Sequence, residues 1–154
     1  MTPTARLAAV LAAALMPVHG QTRAAMPPGA GWAGGDRELA ERLRSNRPAP
    51  ERAAAASGLA AYVMRSYEAR TALLERLAAA REAVAVRRVA AKSLSWAGHD
   101  ARVPEALLAL AQDSSAEEDL RALSYKAMYR MGHRSEVAEA FEAAVGSARE
   151  PTLV

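Results

Sequence analysis

The chain contains no cysteine. That excludes a disulfide framework, a cysteine-ligated zinc, a thiol nucleophile and a lipid-modified thiol. Aromatic residues make up only 5%, with a single phenylalanine. A β-sandwich draws on β-branched and aromatic side chains, so this scarcity argues against one. A large charge excess is lacking too: Lys+Arg 20 against Asp+Glu 17 leaves +3. Such an excess requires no polyanionic partner, and nucleic-acid binding is not expected. There is no HExxH, no glycine-rich phosphate loop and no nucleophile elbow, and no serine has a His–acid context. No catalytic residue, cofactor or enzymatic activity is expected. What the chain does have is alanine, 40 of 154 residues, within an apolar fraction of 51%. That composition suits closely packed helices, and the length suits one domain with its own core.

The first twenty residues read as an address. Met1–Arg6 carries one positive charge, and Leu7–Met16 is an unbroken apolar run of ten. Pro17 ends the run, and Val18 and Gly20 supply small residues for cleavage after Gly20; cleavage after Ala24 is the alternative. This is the three-part plan of a secretory signal peptide. Ten residues are about half of what spans a bilayer. The mature chain is therefore expected to be exported, periplasmic or secreted, without stable membrane insertion. Residues 21–35 hold two Pro and four Gly and read as a flexible linker, with Trp32 loosely packed in it.

From Asp36 the chain repeats at a spacing of 34 residues. Ala97-Gly98-His99 falls on Met131-Gly132-His133, Lys92 on Lys126, Arg87 on Arg121, and Leu73-Leu74 on Leu107-Leu108. In the other direction Leu39 falls under Leu73, Leu43 under Leu77 and Arg42 under Arg76. The repeat domain spans 36–154, with units at about 36–69, 70–103 and 104–137 and a partial unit at 138–154.

Each unit divides into two helices. The spacing predicts helices over 36–44 and 51–64, then 71–80 and 84–97, then 104–112 and 118–131. Pro104 sits in a first turn, where its missing N–H costs nothing. Asp113-Ser114-Ser115 supplies capping side chains for the next helix. Gly98 and Gly132 end their helices as left-handed residues. One helical hairpin cannot bury both of its apolar faces, whereas stacked hairpins can.

Residues 86–98 (VRRVAAKSLSWAG) resemble the second helix of a HEAT repeat. The version resembled is the short bacterial type related to bilin-lyase repeats, with its V-R-x-x-A-A-x-A-L-G-x-L-G pattern. Leu120-Arg121, Ala127-Met128 and Met131-Gly132 match one unit on, and Asp113 matches the family's loop Asp. His99 and His133 depart from the family's usual Asp, and Ser95 and Tyr129 from a frequent Gly. The Trp…Leu-Gly…Tyr pattern of the rival tetratricopeptide repeat is absent. The resemblance implies an all-α, right-handed solenoid of about three stacked hairpins. It also implies that Arg87 and Arg121 are structural, bonded to a loop carboxylate or carbonyl such as Asp113. The lyase activity of some relatives is not carried over, because no catalytic motif accompanies it.

The final unit stops after one helix, 135–145, whose apolar face either caps the stack or associates with another segment or chain. His99 and His133 occupy equivalent turns; with Asp100 or Glu136 they form the one conceivable metal pair, and they read as exposed turn residues. One pattern points to binding. Positions four apart in each second helix share a stripe. They are Ala54, Gly58 and Tyr62, then Arg88, Lys92 and Trp96, then Ala122, Lys126 and Arg130. Second helices line the concave face of the resembled solenoid. A binding ladder is expected there from Tyr62, Arg88, Lys92, Trp96, Lys126 and Arg130, bordered by Tyr125 and Tyr129. Tyr, Trp and Arg dominate interface energetics, and the bases favour an acidic or extended protein or peptide. The expected function is a non-enzymatic scaffold or adaptor. The alternatives are an assembly module associating through its C-terminal end and a degenerate lyase-like accessory module.

Overall fold

The computed structural model describes residues 35–147. The signal peptide, Trp32, nearly all of the linker and the end of the partial unit lie outside the described residues. Among the described residues there are seven α-helices and no strand. They are α1 (Gly35–Arg44), α2 (Ala49–Leu59), α3 (Tyr67–Ala78), α4 (Val84–Leu94), α5 (Arg102–Gln112), α6 (Glu118–Arg130) and α7 (Arg134–Ser147). None is long and apolar enough to cross a membrane.

The helices pair as hairpins, α1 with α2, α3 with α4, and α5 with α6. First helices then pack in one row, α1–α3–α5, and second helices in another, α2–α4–α6. α7 packs against α6. A continuous apolar spine runs between the rows, through Leu43, Leu59, Leu73, Leu77, Leu94 and Leu107 into Leu120 and Met128, all essentially solvent-free. Burying a leucine side chain contributes roughly 2 kcal/mol, and between the leucines alanine lets the backbones approach closely.

Several boundaries differ from those predicted, each for a local reason. α2 ends at Leu59 rather than 64, because Ala60, Ala61 and Tyr62 donate to carbonyls three residues back, a tighter winding. α3 begins a turn earlier than 71, because Ser66 caps it: its Oγ accepts from the Ala69 N–H at 3.1 Å and donates to Asp36 Oδ2 at 2.6 Å. The Asp113-Ser115 cap does not form. Asp113 Oδ1 instead accepts from the N–H and hydroxyl of Ser115, an Asx turn, and Glu117 at the α6 N-cap makes no side-chain cap. These two bonds from Ser115 hold the Asp113 carboxyl below its ordinary range.

The two glycines expected to be alike differ. Gly132 has φ 97°, the left-handed form that ends α6. Gly98 does not: among the described residues Gly132 alone has positive φ. α4 stops at Leu94, and a Cβ on Gly98 would lie 3.0 Å from that of Met131. Gly98 is needed for close approach of the next hairpin, not for backbone handedness.

Arg87 and Arg121 use carbonyls rather than Asp113. Arg87 Nε donates to Leu77 O at 3.0 Å, and Arg121 Nε to Ala111 O at 3.1 Å, so donor and acceptor both recur 34 residues on. The first hairpin has Ala53 at that position. Arg52 beside it pairs with Glu82 of the next hairpin at 2.5 Å, while the Arg76 guanidinium donates to the Arg44 carbonyl.

Candidate functional site: a basic aromatic strip on the second helices

Of the stripe residues, Trp96 and Arg130 meet across the second-helix row. Trp96, one residue beyond the end cap of α4, is 57% exposed. Arg130, the last residue of α6, lies over it, with the guanidinium carbon 4.9 Å from the ring centroid. Arg88 reaches from α4 to Asp119 of α6 at 2.5 Å, an exposed pair worth little in stability. Lys92 is exposed and Lys126 half-buried, each one turn before the Trp96–Arg130 contact, and neither forms an ion pair among the described residues.

The ladder does not continue evenly into the first hairpin. Tyr62 is half-buried against the core. Its hydroxyl stands 2.7 Å from where a Gly35 Cβ would be, and Leu39 of α1 lies 3.0 Å from where a Gly58 Cβ would be. The Leu39 side chain thus covers Gly58 and the Gly35 backbone crowds the Tyr62 hydroxyl, while Ala54 stays exposed. In α6, Ala122 is buried, so the exposed part begins at Lys126. Tyr125 is also buried and does not border the surface, and its burial raises the phenol's pKa. Tyr129 is 38% exposed, with the Arg134 guanidinium 5.2 Å from its ring centre.

Sequence reasoning missed a third stacked pair. Arg102 lies over Tyr67 at 4.4 Å and also donates to Asp100, at 3.0 Å from Nε. Arg70 donates to Asp100 as well, at 2.7 Å, and hydrogen bonds from Arg102 and Arg70 hold this carboxyl far below its ordinary range despite the opposing desolvation. The 34-residue offset could not reveal the pair, because Tyr67 and Arg102 have no equivalent one unit on. The exposed large apolar residues Met64, Tyr67, Trp96 and Tyr129 all lie in or beside the turns that join one hairpin to the next.

Charge is segregated along the second-helix row. α4 has no carboxylate, and those of α6, Glu118 and Asp119, are confined to its first turn. The C-terminal halves of both helices therefore present Lys92, Lys126 and Arg130 without a counter-charge of their own. α7, which packs against α6, carries the exposed carboxylates Glu136, Glu139 and Glu142. Glu136 accepts from His133 at 3.1 Å, and bonds from His133, its own backbone N–H and Ser135 lower its carboxyl to about 2. His99 is exposed, and among the described residues no three His or carboxylate groups gather as a metal site would require.

No family model, curated protein or solved structure matches the chain. The resemblance to HEAT repeats therefore rests on the residues quoted above.

Proposed function

We propose that the chain is an exported HEAT-like α-solenoid, without enzymatic activity, that binds an acidic protein segment along its second-helix row. The observation that carries this reading is the contact between Trp96 and Arg130. A large ring stands more than half exposed, clamped on one face by a guanidinium from the next helix. Lys92 and Lys126 flank it, and neither forms an ion pair among the described residues. A stacked guanidinium keeps its planar fork for a carboxylate and loses less freedom on binding than an unconstrained one. The row-on-row packing supports the solenoid reading, and the apolar run of residues 7–16 supports export.

Labelled poly-L-glutamate tests the binding. The double variant Trp96→Ala/Lys92→Ala should bind it at least about ten-fold more weakly, a loss of roughly 1.4 kcal/mol. Its helicity and melting should be unchanged. Unchanged affinity overturns the reading. Export is checked separately by N-terminal sequencing of chain recovered from a bacterial periplasm. A start at Gln21 is expected, and an intact Met1 overturns the export reading.

A further inference from the structure

We infer that the edge built from the inter-hairpin turns docks on an anionic phospholipid surface, seated in the headgroup layer without crossing it. The inference goes beyond the proposed binding reading and does not depend on it. The three turns, residues 60–66, 95–101 and 131–133, adjoin one another. Tyr67, just after the first, stacks with Arg102, just after the second, at 4.4 Å. Trp96 in the second stacks with Arg130, just before the third, at 4.9 Å. A Cβ on Gly98 of the second would meet that of Met131 in the third at 3.0 Å. The exposed large apolar residues among the described residues all belong to this edge, and Met64 and Tyr67, 58% and 63% exposed, are even more open than Trp96. The loops at the opposite ends of the hairpins, residues 45–48, 79–83 and 113–117, hold no aromatic or other large apolar residue.

Charge on the edge suits the same surface. Each exposed ring has a guanidinium beside it: Arg102 on Tyr67, Arg130 on Trp96 and Arg134 on Tyr129. The carboxylates of the edge are engaged within the fold: Asp100 by Arg70 and Arg102, Asp36 by Ser66, Glu68 by Arg44 and Glu136 by His133. Arg65, Arg130 and Arg134 are exposed there. Tyr and Trp settle at the headgroup level, where the ring is apolar and its polar atom stays wet. A guanidinium forks onto phosphate oxygens, and an anionic leaflet attracts bases held near it. A protein partner concentrates its affinity in one desolvated pocket. Here the apolar side chains are spread over three turns, and a headgroup layer can meet all three at once. No helix among the described residues is long and apolar enough to cross a bilayer, so the contact is peripheral.

The test uses the full chain carrying Trp32→Phe, which leaves Trp96 as the sole tryptophan. The probes are phosphatidylcholine vesicles and mixed phosphatidylcholine–phosphatidylglycerol vesicles, both with brominated acyl chains. On the mixed vesicles Trp96 emission should shift to the blue and be quenched by the bromines, a local signal that residues 7–16 entering the bilayer by themselves do not give. Affinity, read from that quenching, should be at least about ten-fold higher for mixed vesicles than for phosphatidylcholine alone. Met64→Ser/Tyr67→Ser, outside the second-helix strip, should weaken vesicle binding about ten-fold by removing two apolar contacts. Its poly-glutamate binding and thermal melting should be unchanged. Unquenched Trp96, or equal vesicle affinity of this variant and its parent, overturns the inference and leaves the poly-glutamate reading untouched. Equal affinity for the two kinds of vesicle overturns it too, because the anionic headgroup is part of it. Loss of poly-glutamate binding in the variant, with no vesicle bound by the parent, assigns the edge to an acidic protein partner and overturns the membrane surface.

Discussion

Arg87 reaches back ten residues and donates from Nε to the carbonyl oxygen of Leu77 at 3.0 Å, from a site only 8% exposed. The bond ties the start of α4 to the end of α3, where the chain leaves one helix for the next. Arg121 and Ala111 repeat it in the following hairpin. A charged donor in a buried site stabilises more than a neutral one.

Arg87→Ala should therefore destabilise the domain by about 2–3 kcal/mol, read by urea denaturation. Arg87→Lys should recover only part of this, because an ammonium lacks the directed Nε–H. A loss below about 0.5 kcal/mol for the alanine variant would deny the bond a structural role.

Glu82 is a buried carboxylate whose side chain is 2% exposed. Burial alone would raise its pKa. The bond from Arg52 at 2.5 Å, the Ala83 N–H at 2.7 Å and the charge of Arg76 outweigh burial and hold it below its ordinary value. Folding lowers this pKa, so the contribution is complete above the unfolded value of about 4.3 and disappears as pH falls through the folded one. Wild-type stability should decline below that pH, and Glu82→Gln should flatten part of the decline. At neutral pH the variant should lose about 1–3 kcal/mol. Urea midpoints at pH 7 and at acidic pH measure both effects, and parallel pH curves for the two proteins would contradict the assignment.

The two turn glycines should respond in opposite ways to asparagine. At Gly132, with φ 97° and open space around it, alanine should cost about 1 kcal/mol and asparagine less, since asparagine tolerates left-handed backbone. At Gly98 the larger residue should cost more than alanine, because the limit there is contact with Met131 at 3.0 Å. Thermal melts of the four variants give the comparison, and one common order at both sites would refute the distinction.

In a Trp32→Phe background, Arg130→Ala should increase acrylamide quenching of Trp96 by uncovering one ring face. It should cost less than about 1 kcal/mol of stability, the scale of an exposed cation–π contact. Quenching unaffected by the change would mean that the stacked pair is not populated in solution.

Helix content and the recurrence of Arg87 at Arg121 were legible because periodicity and a 34-residue offset are properties of the string. Trp96 and Arg130 could be placed on one stripe for the same reason. Their stacking could not, because it depends on a side chain crossing between helices. Tyr125 shows the opposite limit. It lies next to a stripe residue, yet it points into the core, and a rotation of about 100° per residue separates the two outcomes. Gly98 and Gly132 matched as letters, but one answers to a dihedral angle and the other to a neighbouring hairpin. Tyr67 and Arg102 escaped notice because only the fold brings them together.

The first two hairpins are laced to each other by polar bridges: Arg44 to Glu68 and Glu75, Arg52 to Glu82, Asp36 to Ser66, and Ser93 to the Ala56 carbonyl. Between the second and third, the described residues offer the exposed Arg88–Asp119 pair, the Arg70–Asp100 pair, long bonds from Arg102 to Tyr67 and Thr71, and the exposed stacking of Arg102 on Tyr67 and Arg130 on Trp96. Such an array should unzip from its C-terminal side. Amides of α6 should then exchange with deuterium through partial openings that leave α1–α4 intact, and the strip around Trp96 would be the first surface to come apart.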